Sequence, residues 1–226
     1  VLVVACDPRL SRPQTTDLHG IPLVEVPATH PRGRMLALVL SGDGNWADLI
    51  AGFSRTLADS GIPVVGLDAR SYLRDGRTPD QTASDMATVL RAYLAKWGRD
   101  EVLIAGYSRG ADLAPFVMSR LPDDLRKRVR LVALLSPATT ANFHFHLIDL
   151  VRSVHRPDDV PVTPEIARMG PVPTLCVYGR EERESLCTAV QAGRMHVVAR
   201  DGGHRTTNHV LLARLVLTEV AALAPP

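Results

Sequence analysis

The chain has 226 residues, 46% of them hydrophobic, and its 26 Lys and Arg against 24 Asp and Glu leave a formal net charge of +2. That length suits one α/β domain over residues 1–226, since no Gly/Ser linker or compositional break divides it. The near-balanced charge argues against a nucleic-acid partner, and no apolar run approaches the roughly 20 residues a transmembrane segment needs.

In chain order, the opening residues Val1 to Cys6 admit two readings: an apolar first strand, or the tail of a lipoprotein signal whose Cys6 is acylated. The start at Val1 rather than methionine reads as that of a processed, trimmed or excised chain. Short β-branched runs then alternate with helix-length amphipathic segments. Strands are predicted at 23–26, 35–40, 64–68, 102–107, 131–135, 174–178 and 196–200, with helices at 47–60, 79–97, 111–121 and 209–223. This alternation predicts a mostly parallel central sheet with helices on both faces. The second helix is well marked: Thr78 is an N-cap, Pro79 suits the first turn and Gln81 completes a capping box. Its apolar positions Ala83, Met86, Ala87, Leu90, Tyr93, Leu94 and Trp97 form one buried stripe.

Residues 136–169 break the pattern, with Asn142-Phe143-His144-Phe145-His146 followed by Pro157, Pro161 and Pro164. They read as an excursion over the sheet, at the place between the sixth and seventh strands where hydrolases of this architecture usually insert a small cap over the active site. His144 and His146 lack a third ligand nearby and read as ordinary polar residues, so no metal site is predicted. Gly42-Asp43-Gly44 lacks the third glycine of a dinucleotide fingerprint and no Walker-type loop is present, so no cofactor is predicted.

The most informative stretch is Gly106-Tyr107-Ser108-Arg109-Gly110, between the apolar run Val102-Leu103-Ile104-Ala105 and a helix-like segment. Strand, tight turn and helix in that order are what a nucleophile elbow requires. The turn strains the serine backbone and leaves no room for side chains two residues on either side. A serine hydroxyl is a poor nucleophile at neutral pH, so Ser108 needs a base and the base needs an orienting acid. After the last strand, Asp201-Gly202-Gly203-His204 offers His204 as that base on a tight loop. After the strand before it, Tyr178-Gly179-Arg180-Glu181-Glu182-Arg183-Glu184 offers three carboxylates. Hydrolases of this class often place the acid three residues after the strand-ending glycine, which selects Glu182 and keeps Glu181 and Glu184 as alternatives.

Cys176 and Cys187 flank that acidic loop, and Cys6 stands apart. In an oxidising compartment the pair would close a short ring around the acid; in a reducing one both would be buried thiols. For the oxyanion, one donor is expected from the N–H of Arg109 and a second from the loop after strand 35–40, at Gly42 and Asp43. Asp43 and Asp112 remain as carboxylates near the elbow. Asp112 also suits the first turn of its helix for electrostatic reasons alone.

Ser41-Gly42-Asp43-Gly44-Asn45-Trp46, Gly61-Ile62-Pro63-Val64-Val65-Gly66, Arg77-Thr78-Pro79, the elbow extended by Ala111-Asp112, and Gly202-Gly203-His204 together resemble the VirJ/AcvB family of bacterial virulence-associated proteins. The resemblance runs from about residue 20 to the C-terminal helix, and Cys176 and Cys187 match the family's pattern. It implies an α/β-hydrolase fold, a periplasmic location and hydrolysis of aminoacyl-phosphatidylglycerol, a phospholipid at the membrane surface, to release lysine or alanine. Such an ester carries an ammonium beside its carbonyl, for which Asp43 and Asp112 are the candidate partners, and a phosphate farther out, for which Arg109 is one. After the histidine this chain departs from the family, reading Arg205-Thr206-Thr207-Asn208-His209, which bears on the identity of the amino acid. Competing expectations are an esterase for another soluble ester and a non-catalytic binding or secretion partner on the same scaffold.

Overall fold

The structure is a computed structural model that describes residues 14–44, 46, 48–146, 156–190 and 193–223. The possible first strand at Val1 to Cys6, and with it the fate of Cys6, lies outside the described residues, as do Asn45, Ala47 and residues 147–155 in the middle of the excursion.

Eight strands form one sheet: β1 (Gln14–Leu18), β2 (Ile21–Val26), β3 (Met35–Leu40), β4 (Val64–Leu67), β5 (Glu101–Tyr107), β6 (Val129–Leu135), β9 (Thr174–Gly179) and β10 (His196–Arg200). Their order across the sheet is β1-β2-β4-β3-β5-β6-β9-β10. β2 pairs antiparallel with both β1 and β4, and every other pairing is parallel. Helices cover both faces, giving the α/β-hydrolase fold that the sequence predicts. Strand β1 was not foreseen. It is an edge strand of polar residues, Gln-Thr-Thr-Asp-Leu, turned back onto β2 at His19 and Gly20, both with positive φ. It therefore carries none of the apolar alternation by which strands are read.

The period-two geometry of a strand divides the core. Leu36, Leu38 and Leu40 of β3, Val102 and Ile104 of β5, and Val132 and Leu134 of β6 face one helical layer. That layer contains α2 (Ala69–Tyr72), α3 (Pro79–Trp97), α4 (Arg109–Arg120) and α5 (Asp123–Arg126). Met35, Ala37 and Val39, with Leu103, Ala105, Leu131, Ala133 and Leu135, face the other layer, α1 (Asp48–Asp59) and α8 (His209–Ala222). Helix α3 has the Thr78–Gln81 capping box and ends at Gly98 in the left-handed region. Its Ala83, Met86, Ala87, Leu90, Tyr93 and Leu94 are buried, and Trp97 packs half-buried against the same core.

The excursion leaves the sheet between β6 and β9. It forms a small antiparallel pair, β7 (Thr140–Ala141) with β8 (Val160–Pro161), and then a short helix, α6 (Thr163–Arg168). Its ends are core rather than cover, which corrects the expectation of a simple overlay. Phe143 meets Phe116 edge to face at a centroid distance of 5.2 Å, and Val162, Ile166 and Met169 are buried at helical spacing. Below it, α7 (Leu186–Ala189) is joined to β9 by a disulfide between Cys176 and Cys187, both buried.

Candidate active site

The carboxyl ends of the parallel strands converge on one cleft of about 390 Å³. At its centre Ser108 follows β5 with φ 53° and ψ −124°, a strained conformation for a residue with a side chain, and α4 begins at the next residue. Sterics explain the surrounding glycines. A Cβ on Gly106 would overlap the backbone of Gly110 and Ala111, and one on Gly110 would overlap the carbonyls of Leu40 and Ser41. The close crossing of β5, α4 and the β3 loop therefore depends on hydrogen at both positions.

That β3 loop presses on the serine from the other side. Gly42 packs so closely that a Cβ there would stand 3.2 Å from Ser108 Cβ. Ser41, fully buried, pins the loop by accepting the Ala69 N–H at 3.0 Å. The first N–H of α4, that of Arg109, and the backbone of Gly42 thus lie beside Ser108, and Asp43 lines the same cleft. Trp46 anchors the far end of the loop by packing its ring against Gly66, where any side chain would collide with it.

His204 comes to Ser108 from the loop after β10, and Glu182 from the loop after β9. Ser108 Oγ lies 2.8 Å from His204 Nε2, and His204 Nδ1 lies 3.0 Å from Glu182 Oε2. Glu182 is 5% exposed at its side chain, and His204 is 47% exposed. Burial pushes the Glu182 carboxyl up, but the His204 ring, the Gly179 N–H at 2.5 Å and the Ser136 hydroxyl at 3.1 Å outweigh it and hold the group below its ordinary value. Glu182 is therefore an anion in the working pH range and an acceptor for the ring. With Nδ1–H donated to it, Nε2 presents a lone pair to the serine hydroxyl. Glu181 and Glu184 line the cleft, but it is Glu182 that bonds to the histidine.

The two aspartates are used differently. Asp43 is paired through both oxygens with the Arg109 guanidinium, which also donates to the carbonyls of Asn142 at 2.9 Å and His144 at 3.4 Å. The Arg109 side chain, 9% exposed, thereby ties the β3 loop to the excursion and does not point outward as a phosphate partner would. Asp112 lines the cleft, with Oδ1 accepting the Ala138 N–H at 2.7 Å. Burial pushes its carboxyl up to about 7, against the pull of that N–H and of the Arg109 and His204 charges.

Two contributors to the site were missed in the sequence. Ser136, the residue after β6, is a second non-glycine with φ 53° and bonds to Glu182. Arg200, the last residue of β10, is buried beneath the histidine loop. Neither has a local signal: a serine before a proline and an arginine ending an edge strand both read as ordinary boundary residues.

The family described as bacterial virulence protein (VirJ) matches residues 34–223. No curated protein matches the chain. Among solved structures, Est1E from Butyrivibrio proteoclasticus superposes with a TM-score of 0.63 at 16% identity, covering 92% of this chain and 99% of that one. The esterase domain of a Rhodothermus marinus protein gives 0.60 at 18% identity, with 93% and 97% covered. Proline iminopeptidase from Mycobacterium smegmatis gives 0.63 at 13% identity, with 94% and 98% covered. At such identities the likeness shows the fold alone.

Proposed function

From the premise that the chain belongs to the VirJ family, we propose that it is a periplasmic serine esterase that hydrolyses the aminoacyl ester of lysyl- or alanyl-phosphatidylglycerol at the membrane surface. The observation that carries the hydrolytic reading is the unbroken hydrogen-bonded chain Ser108–His204–Glu182, with its acid end buried and its serine open to the cleft. Ser108 Oγ attacks the ester carbonyl while its proton passes to His204 Nε2, and Glu182 stabilises the imidazolium that forms. Negative charge on the carbonyl oxygen is received by the Arg109 N–H and by the backbone of Gly42 and Asp43. The ester C–O bond then breaks, the imidazolium returns its proton to the departing glycerol oxygen, and an aminoacyl–Ser108 ester remains. Water, deprotonated by His204, hydrolyses this ester to free amino acid.

Asp112 is the better placed of the two aspartates to meet the substrate ammonium, because Asp43 is engaged by Arg109. A carboxyl raised to about 7 by burial must ionise to do so, which makes KM for an aminoacyl ester fall as pH rises through 7. Two further features support the location and setting. The disulfide suits an oxidising compartment. Arg156 and Arg183 on the cleft wall suit a phosphate. Among the described residues no helix is long and apolar enough to cross a membrane.

The test is release of amino acid from lysyl- and alanyl-phosphatidylglycerol by the wild type and by Ser108→Ala, Asp43→Asn and Asp112→Asn. Ser108→Ala is expected to lose at least about 10³-fold in turnover. Asp112→Asn is expected to lose preference for the aminoacyl lipid over an uncharged ester and to lose the pH dependence of KM. Turnover of short soluble esters alone would point to a different substrate, and an unchanged biological effect in Ser108→Ala to a protein acting by contact.

A further inference from the structure

We infer that Arg200 is a positioning residue of the hydrolytic site, one that sets both the place of His204 and the charge around it. The inference rests on the reading of Ser108, His204 and Glu182 given above. Arg200 ends β10, the edge strand, where a long cation would ordinarily reach into water; instead its side chain is 4% exposed. Burying a guanidinium is costly unless its donors are met. Here the bonds of its two terminal nitrogens go almost entirely to the loop that carries the histidine. Nη2 donates to the Gly203 carbonyl at 2.6 Å and to the His204 carbonyl at 2.9 Å, and Nη1 donates to the Asp201 carbonyl at 3.0 Å. Nη2 also reaches the Ser136 hydroxyl at 3.3 Å, while Nε is buried without a partner among the described residues.

A group whose only task was to close the loop would be served by neutral donors, without the cost of a buried cation. Its charge lies 4.0 Å from Glu182 Oε1, on the oxygen opposite the one bonded to the histidine. The loop itself is a glycine turn packed closely on the end of β9. Gly202 has φ 85°, and the Gly202 and Gly203 carbonyls lie against Gly179 so closely that a Cβ there would collide with them. Arg200 therefore braces a thin glycine turn from beneath and leaves the ring free to face Ser108.

The charged and titratable groups around His204 come from every element that builds the cleft. Glu182, with Glu181, Arg183 and Glu184, follows β9, Arg200 ends β10, Arg205 follows the histidine, and Tyr107 of β5 donates its hydroxyl to the His204 carbonyl at 3.1 Å; Arg109 and Asp112 of α4, Asp43 of the β3 loop, and Arg156 and Asp159 of the excursion line the same cleft. Among these cations Arg200 is bonded to the carbonyls of the histidine loop. Removing its charge, 4.0 Å from Glu182 Oε1, lets that carboxylate take up its proton at higher pH, so the acidic limb of the reactivity profile moves to higher pH.

The experiment measures labelling of Ser108 by a fluorophosphonate probe from pH 5 to 9, in which the serine oxygen bonds to phosphorus, fluoride leaves and the proton passes to His204. This readout does not depend on the natural substrate. Wild type, Arg200→Lys, Arg200→Met and Ser108→Ala are compared, with thermal unfolding of each. Arg200→Lys is expected to keep the acidic limb in place and lose about tenfold in maximal rate, because an ammonium cannot reach all the carbonyls. Arg200→Met is expected to lose about 100-fold and to shift the limb upward by about 1 pH unit. If Arg200→Met does not fold, the rate of Arg200→Lys decides alone: a folded variant labelled at the wild-type rate overturns the inference. So does a folded Arg200→Met with an unmoved limb. If the wild type is not labelled at Ser108 at all, it is the serine reading that fails instead.

Discussion

Ser108 stands on the central strand of the sheet, while His204 and Glu182 stand on loops after its last two strands, and the two sides are held in place by different means. On the serine side the restraint is backbone sterics. Gly106 and Gly110 let β5, α4 and the β3 loop cross closely, and no side-chain bond caps α4 at Ser108. On the histidine side the restraint is side-chain chemistry and a covalent link. Arg200 bonds three carbonyls of the loop, Ser136 and the Gly179 N–H hold Glu182, and the Cys176–Cys187 bridge closes the ring that contains the acid. A central strand has neighbours on both edges to fix it, whereas loops after β9 and β10 have little sheet beside them. Precision at the sheet's margin has to be supplied by specific bonds.

The largest expected effect breaks the serine side. In Gly110→Ala the new methyl falls on the Leu40 and Ser41 carbonyls, which are backbone and cannot swing aside. A loss of about 3 kcal/mol or more in urea unfolding is expected, with little folded protein recovered. Wild-type stability in this variant would mean that the crossing is looser than described and that the glycine is there for another reason.

A smaller effect is expected from opening the ring on the other side. The Cys176→Ser/Cys187→Ser double variant frees a chain segment whose cysteines are 11 residues apart, which in the loop-entropy account costs about 3 kcal/mol at most, since buried serines still pack. What sharpens the comparison is that this variant should fold yet label at Ser108 several-fold more slowly, because Glu182 lies inside the ring. Equal labelling at full occupancy would show that Ser136 and Gly179 hold the acid without help.

This contrast also explains what could be read from the sequence. The elbow, the helix cap at Thr78, the alternating strands and the order serine, carboxylates, histidine are local patterns or their succession, and the fold they predict is the one found. The choice among Glu181, Glu182 and Glu184 rested on spacing alone, and only the three-dimensional meeting of β9 and β10 sets Glu182 against His204. Ser136 acts on that meeting from the end of β6, distant in sequence, and Arg200, though close before His204 in the chain, ends an edge strand where an arginine reads as a surface cation. The excursion reads as cover because Asn142 to His146 and the run of Pro157, Pro161 and Pro164 interrupt the alternation of strands and helices. Val162, Ile166 and Met169 make it core, and their helical spacing was the signal that went unused.

The smallest expected effect separates two contributions at Ser136. Its φ of 53° is unfavourable for a residue with a Cβ by roughly 1 kcal/mol, and its hydroxyl bond to Glu182 returns about the same. Ser136→Gly removes both the strain and the bond, so its stability should stay within about 0.5 kcal/mol of wild type. Ser136→Ala keeps the strain and loses the bond, and should be about 1 kcal/mol less stable. Both variants leave Glu182 with one bond fewer, so both should slow Ser108 labelling by the same small factor, about threefold. Equal stability with unequal labelling would place the role of Ser136 in its backbone; unequal stability with equal labelling would place it in the hydroxyl, as the histidine side's dependence on side-chain bonds requires.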